Sequence, residues 1–265
     1  MKGAIFYYSG SGNTRLACRY LAANVPAVDF DLIDITQETD VDLTPYDVVG
    51  FAAWTDFFGP SQLFKDFVAD LPAQQDKLAF VFNTYGAMTG KTLRSMAQLV
   101  EKRGFRVIGG HSLQTPESYP KNIARGMAFT DAPDAEALGE FDAFIASLDR
   151  RLDRAHESGT VEAQRVRIGL LNTLMPRFPR TKAKNDMGPK YVDEAKCTEC
   201  GICEQLCPYD AIELAPKPIF DEDACYGCWR CYNHCPEQAI YTDDLKGDEA
   251  QYPRPNDQLK KKLNV

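Results

Sequence analysis

Over the first 150 positions the apolar residues keep two alternating rhythms. Five short continuous runs, Ala4–Tyr8, Phe30–Ile35, Val48–Trp54, Leu78–Asn83 and Val107–Leu113, have the length and composition of buried strands. Between them the apolar positions step by three and four, the spacing of one helical face. Leu16, Tyr20 and Leu21 form one such face, and Leu63, Phe64, Phe67, Val68 and Leu71 follow Ser61 as a second. Leu93, Met96, Leu99 and Val100 precede Gly104, and a last helix carries Leu138, Phe141, Phe144, Ile145, Leu148 and Leu152. Strands alternating with helices predict an α/β domain over residues 1–150, with a five-stranded, doubly wound parallel sheet.

After Arg150 the rhythm fades. Residues 151–190 read as a basic, partly helical connector, broken by Pro176, Pro179 and Pro189. Its cations, with Arg150 at its edge, are Arg151, Arg154, Arg165, Arg167, Arg177, Arg180, Lys182, Lys184 and Lys190. A short helix is expected around Val166–Met175. Ile168, Leu170, Leu171, Leu174 and Met175 there fit two uses, a packing surface bridging domains or a lipid anchor, and packing is the commoner. Residues 191–244 make a second, cysteine-rich domain. Residues 245–265 are polar and are expected to form a loosely held tail.

Eight of the nine cysteines sit between Cys197 and Cys235, in two copies of one spacing. Cys197, Cys200, Cys203 and Cys207-Pro208 read C-x2-C-x2-C-x3-C-P, and Cys225, Cys228, Cys231 and Cys235-Pro236 repeat it 28 positions later. Three thiolates at such intervals can wrap one face of an iron-sulfur cubane. Zinc ribbons and disulfide scaffolds also use paired cysteines, yet neither calls for this triplet with Cys-Pro twice over. The segment closely resembles the bacterial-type two-cluster ferredoxins, in which each copy lends its fourth cysteine to the other copy's cluster. That resemblance implies a small α+β domain with two 4Fe-4S clusters. One would be held by Cys197, Cys200, Cys203 and Cys235, the other by Cys225, Cys228, Cys231 and Cys207. Tyr226, Trp229 and Tyr232 lie between ligands and are expected to shield sulfur and fill the small core. Cys18 stands apart, within the first helix, and reads as a small core residue.

The first strand runs straight into Ser9-Gly10-Ser11-Gly12-Asn13-Thr14 and then a helix, an arrangement that turns backbone N–H groups and a helix N-terminus toward an anion. Hydroxyls of Ser9, Ser11 and Thr14 add donors, which suits a monophosphate. In its context after the first strand, this hexapeptide resembles the FMN phosphate loop of the flavodoxins. The resemblance implies strand order 2-1-3-4-5, with the flavin ring near loops after the third, fourth and fifth strands. Those loops are Trp54–Gly59, Thr84–Gly90 and Gln114–Tyr119, and the candidate contacts are Trp54, Phe57, Thr84, Tyr85, Gly86, Gln114 and Tyr119. A second glycine loop, Gly86-Ala-Met-Thr-Gly-Lys-Thr92, has three residues between its glycines where a nucleotide P-loop needs four.

Composition narrows the classes further. A formal charge of −8 argues against nucleic acid as a partner, since phosphates demand a basic face. The acidic cysteine-rich domain contrasts with the basic connector, which implies docking of one on the other, steering of a redox partner, or simply a solvated surface. The apolar run Ala4–Tyr8 is too short for a signal segment, and no run has membrane length. So many free thiolates need a reducing compartment, so a cytoplasmic location is expected, and exposed low-potential clusters fit an anaerobic host. Only three histidines, His111, His156 and His234, are present, too scattered for a di-iron site.

The whole chain resembles a flavodoxin-like domain fused to a two-cluster ferredoxin. That resemblance implies an electron carrier, passing electrons between two 4Fe-4S clusters and FMN and serving protein donors and acceptors. The alternative is a flavin-dependent reductase in which NAD(P)H or a small substrate meets the flavin, with Tyr85, His111 and Tyr119 as pocket candidates and the clusters as relay.

Overall fold

A computed structural model describes residues 1–37, 41–179 and 181–264; Arg180, one of the connector cations, lies outside the described residues. The N-terminal domain is built on strands β1 (Lys2–Tyr8), β2 (Asp29–Asp34), β3 (Val48–Asp56), β5 (Lys77–Tyr85) and β6 (Phe105–Gln114), with β4 (Gly59–Pro60) a two-residue arm folded back on β3. The five long strands are parallel and run in the order β2-β1-β3-β5-β6. With the short arm set aside, this is the expected order 2-1-3-4-5.

Because side chains alternate along a strand, β1 sends Ala4, Phe6 and Tyr8 to one face and Ile5 and Tyr7 to the other. The first face packs under α2 (Gln62–Asp70) and α3 (Thr92–Lys102), with Phe64, Met96 and Val100 fully buried. The second packs under α1 (Asn13–Ala23) and α5 (Ala135–Ser158), through Leu21, Phe141, Ile145 and Leu152. Ser61 caps α2 by accepting from the Phe64 N–H, and Asp134 caps α5 by accepting from Ala137. Cys18 is buried among these apolar groups, and burial pushes its thiol pKa far up, as an inert core residue requires. A short helix α4 (Pro120–Ala124) follows β6.

Three expectations are corrected. The first domain does not end at residue 150, since its last helix, expected to carry Leu152, runs on to Ser158 with Leu152 facing the sheet. Beyond it the connector returns to that sheet, with Gln164 N–H donating to the Val107 carbonyl and Val166 buried. In α6 (Leu170–Leu174) the leucines do not bridge domains: Leu170, Leu171 and Leu174 are 77%, 66% and 73% exposed. The C-terminal segment is not loose, since α10 (Asp257–Lys262) lays Leu259 and Leu263 under the α1 and α5 face with no exposure at all. Lys262 Nζ adds a bond to the Pro133 carbonyl at 2.8 Å.

The cysteine-rich domain is a structural duplication as well as a sequence one. In the first copy, β7 (Lys190–Val192), α8 (Ile202–Gln205) and β8 (Ile212–Leu214) recur 28 residues on as β9 (Pro218–Phe220), α9 (Arg230–His234) and β10 (Ile240–Thr242). The copies interlock, because β7 pairs with β10 and β8 with β9, each antiparallel. Each copy completes its twin's sheet. Before the domain, α7 (Thr181–Met187) leads in, and Lys184 and Lys190 pair with Asp223 and Glu222 at 3.6 and 2.6 Å. Connector cations therefore do dock on the acidic domain, and among the described residues the ones that pair with it are those nearest it. No helix among the described residues is long and apolar enough to cross a membrane.

Candidate functional site

Local geometry, not distance along the chain, decides which cysteines meet. Residues 28 apart repeat the same left-handed backbone, Glu199 with Gly227, Gly201 with Trp229 and Asp210 with Gln238, so both loops curl alike. Cys197, Cys200 and Cys203 line one recess together with Cys235. Cys225, Cys228 and Cys231 line the other together with Cys207. The fourth cysteine is thus delivered across the interlocked sheets. The equivalence extends to hydrogen bonds, for Ala211 N–H donates to Cys207 Sγ at 3.4 Å and Ala239 N–H to Cys235 Sγ at 3.3 Å. Among the described residues no three of His, Cys, Asp and Glu converge closely enough for one metal ion. The thiols instead ring two spaces, the arrangement a multi-iron cluster takes.

The two recesses differ in burial. Cys200 is exposed, whereas burial raises the Cys228 thiol pKa to about 12 and that of Cys231 well above its usual value. Such thiols become thiolates only when a metal takes the place of the proton. The soft donor set and the crossed pairing fit 4Fe-4S clusters.

A cavity of about 300 Å³ opens between the C-terminal ends of the parallel strands and the cysteine-rich domain. Of the loop predicted from sequence, Gly10, Ser11, Asn13 and Thr14 line it. Ser9 and Gly12 do not; they shape the loop. Ser9 Oγ accepts from the N–H groups of Gly12 and Arg15, and Gly12 holds φ at 97° while its Cα faces Pro255 so closely that a Cβ would stand 2.8 Å from that ring. Thr14 and Thr84 share a hydroxyl bond at 2.8 Å, tying the loop to β5.

The predicted ring contacts Trp54, Phe57, Thr84, Tyr85, Gly86 and Tyr119 all reach the cavity. Gln114 does not; its amide donates to the Gly86 carbonyl at 2.9 Å and so positions the loop after β5. Nor does His111, which stacks between Phe82, Phe141 and Phe144 on the α5 side, where burial drops its pKa to about 4. Trp54 Nε1 and Arg230 Nε, both on cavity residues, are buried without a hydrogen-bond partner among the described residues. Unpaired buried donors are costly, so they mark where a polar ligand belongs. The size, the phosphate loop and these donors fit FMN.

Several wall residues escaped sequence reasoning. Glu117 accepts from Ser118 N, Tyr119 N and Asn122 Nδ2 at 2.9 to 3.0 Å, holding the loop after β6 in its curve. Burial raises its pKa against those bonds. Asp56, pushed up to about 6 by burial, accepts from the Tyr226 hydroxyl of the other domain. From that domain also come Asn233, whose amide donates to Ser118 O at 2.9 Å, and His234, whose Nε2 donates to Gly10 O at 2.9 Å. Tyr252 of the C-terminal segment donates to Asn13 Oδ1 at 3.0 Å. Asp56 and Glu117 lie in loops already marked for the ring, and Tyr226, Asn233 and His234 lie among the cluster cysteines, but no motif singles them out as contacts between domains; Tyr252 lay near no signal. The domains meet at the junction itself, since Cys228, Trp229 and Arg230 line both the cavity and the buried cysteine recess. Gly227 permits this approach: φ is 86°, and a Cβ would stand 2.5 Å from the Ala183 carbonyl oxygen.

Three family profiles match the chain: a flavodoxin domain over residues 4–111, a 4Fe-4S binding domain over 190–213, and an LdpA Fe-S cluster-binding domain over 203–246. The polyferredoxin protein MvhB of Methanothermobacter marburgensis is 39% identical over 59 residues, which are 22% of this chain and 14% of that protein. The pyruvate synthase subunit PorD of Methanocaldococcus jannaschii is 41% identical over 51 residues, 18% of this chain and 59% of that one. The chain therefore matches only a part of these curated relatives, spanning 14% and 59% of their lengths. Among solved structures, an archaeal flavodoxin is 19% identical with a TM-score of 0.42, covering 58% of this chain and 99% of its own. The Megasphaera elsdenii flavodoxin is 24% identical with a TM-score of 0.39, covering 53% of this chain and 98% of its own. The chain is a fusion of a flavodoxin domain with a ferredoxin-type 4Fe-4S domain, and its cofactors are FMN and 4Fe-4S clusters.

Proposed function

We propose that this chain is a cytoplasmic electron carrier that links a protein donor or acceptor to its own flavin through two clusters. When bound, the clusters supply one-electron transfer and FMN either one- or two-electron transfer, so the fusion joins both kinds of traffic. The observation that carries the reading is the shared wall: Cys228, Trp229 and Arg230 belong both to the flavin cavity and to the buried cysteine recess. One cluster ligand therefore borders the flavin site directly.

Burial gives the path a direction in space. Cys200, in the outer recess with Cys197, Cys203 and Cys235, is exposed and marks where a protein partner gains access. The inner recess, with Cys207, Cys225, Cys228 and Cys231 all half-buried, has no exposed ligand and abuts the cavity. Asn233 and His234, in the last turn of α9, bond to Ser118 O and Gly10 O and so tie this domain to the loops that line the cavity.

The test is a pre-steady-state measurement on the holoprotein, with the clusters reduced anaerobically and flavin absorbance followed at several protein concentrations. An observed rate independent of concentration is expected. A rate that rises in proportion to concentration would mean the route runs between molecules and would overturn the proposal. Direct bleaching of the flavin by NADH would move the assignment to a reductase.

A further inference from the structure

A second cavity, of about 240 Å³, lies beside the flavin cavity and shares with it the turn Asp56–Phe58. Its walls are α2, α3, that turn and the connector. Five cations line it: Lys65, Lys91, Lys102, Arg177 and Lys182. Among the described residues Lys65, Lys91, Lys102 and Arg177 have no carboxylate within ion-pair distance, and only Lys182 has one, Asp186 at 3.3 Å. In a chain of formal charge −8, that concentration of positive charge in one concavity runs against the overall balance, with Asp56 near Lys65 and Asp186 beside Lys182 offsetting only part of it. Asp56 is the one carboxylate in the wall, and it already accepts from Tyr226.

The turn itself is a second, independent observation. β3 and β4 pair Asp56 with Gly59, leaving Phe57 and Phe58 as a two-residue hairpin loop, and their φ angles are 42° and 69°. Two left-handed residues in succession make a turn that Asn-Gly normally fills, and two aromatic side chains there are strained. Strain of this kind persists where the rings are needed. Phe57 meets Tyr119 at 5.7 Å on the flavin side, whereas Phe58 meets Phe178 of the connector at 5.7 Å. Lys182 Nζ lies over the Phe57 ring at 5.5 Å and the Phe178 ring at 6.0 Å. The turn places aromatic faces beside a cationic hollow.

We propose that this cleft binds a nucleotide-class small molecule, its phosphates held by the lysines and Arg177 and its planar base against Phe58 and Phe178. The glycine loop that failed the P-loop spacing takes part after all, though not as a phosphate cradle. Gly90, at φ 54°, lets Phe58 pack against it, Lys91 N–H donates to Phe58 O at 2.9 Å, and the Lys91 side chain enters the cleft at the N-terminus of α3, where the helix dipole adds to its charge. A concave hollow of this size favours a small molecule over the flat acidic face of a protein. The site is independent of the flavin assignment, since none of its five cations lines the flavin cavity.

The experiment is calorimetric titration of the FMN-loaded, cluster-loaded chain with inorganic pyrophosphate, ATP and adenosine, monitoring released flavin fluorescence. Saturable binding of pyrophosphate, tighter binding of ATP and none of adenosine alone are expected, weakening as salt rises from about 50 to about 300 mM. Lys91→Gln and Lys102→Gln should each weaken ATP about tenfold and leave flavin content unchanged. Absence of saturable heat with any polyanion, unchanged affinity in both variants, or displacement of FMN by pyrophosphate would overturn the proposal.

Discussion

Leu259→Ala tests whether the C-terminal helix is a structural part of the flavodoxin domain. Leu259 is fully buried on the α1 and α5 face, so truncation removes its transfer energy and leaves a void. Leu→Ala changes at such sites cost about 2–5 kcal/mol, and a terminal helix that can draw inward falls toward the lower end, about 2–3 kcal/mol. At about 1.4 kcal/mol per tenfold, the docked population of α10 relative to the undocked one falls roughly 30- to 150-fold. If the loss is shared by the whole domain, calorimetry should show melting lower by about 4–12 °C. Hydrogen exchange of the α10 amides separates local from global opening. Lys260→Ala is the control: that side chain is exposed on the same helix and pairs only with Asp257 at 3.2 Å, so it should shift stability by about 0.5 kcal/mol or less. Equal exchange in the two variants would refute the claim that burial of Leu259 fixes this segment.

The crossed cysteine assignment predicts that Cys207→Ser alters the same spectroscopic centre as Cys228→Ser and leaves the centre disturbed by Cys200→Ser; electron paramagnetic resonance of the reduced protein would show the reverse if each copy held its own cluster. Gly227→Ala should destabilise the domain junction by about 2–3 kcal/mol, because φ of 86° and the Ala183 carbonyl at 2.5 Å both oppose a Cβ, whereas Glu199→Ala at the equivalent position should leave urea stability nearly unchanged. His111, held neutral with a pKa near 4 against 6.5 unfolded, gives the unfolded chain more bound protons between those values. Its stabilising effect is therefore complete above about pH 6.5 and declines by up to about 3 kcal/mol as pH falls to 4, and His111→Phe should flatten that limb of the acid-stability curve.

The parallel sheet was legible in the sequence because a buried strand needs only a short apolar run, and its order was implied by the resemblance of the glycine loop to that of the flavodoxins. The cysteine domain was legible for a stronger reason: ligand spacing is set by the metal cluster, so eight residues carry their own geometry. Sequence also pointed to the glycine loop that lines the cavity, since a strand, a glycine turn and a helix must be contiguous to form it. Gln114 and His111 were misplaced because a residue near a loop can face either side of the strand, and pleat register is settled only by the partner strand.

What the sequence by itself determined is everything encoded by neighbours along the chain: strands, helices, the phosphate loop, the duplicated ligands and the cofactor types they imply. What only the tertiary structure decided is contact between distant segments. Leu259 and Leu263 sit in a polar stretch whose few apolar residues acquire meaning only from the groove that receives them. Leu170, Leu171 and Leu174 look like packing residues and are exposed, because no facing surface arrives. Asn233, His234 and Tyr226 bind the other domain through single hydrogen bonds, which have no period and no motif. Burial depends on the final arrangement of both partners, so the shared wall at Cys228 and the cationic cleft at Lys91 could emerge only once the chain had folded back on itself.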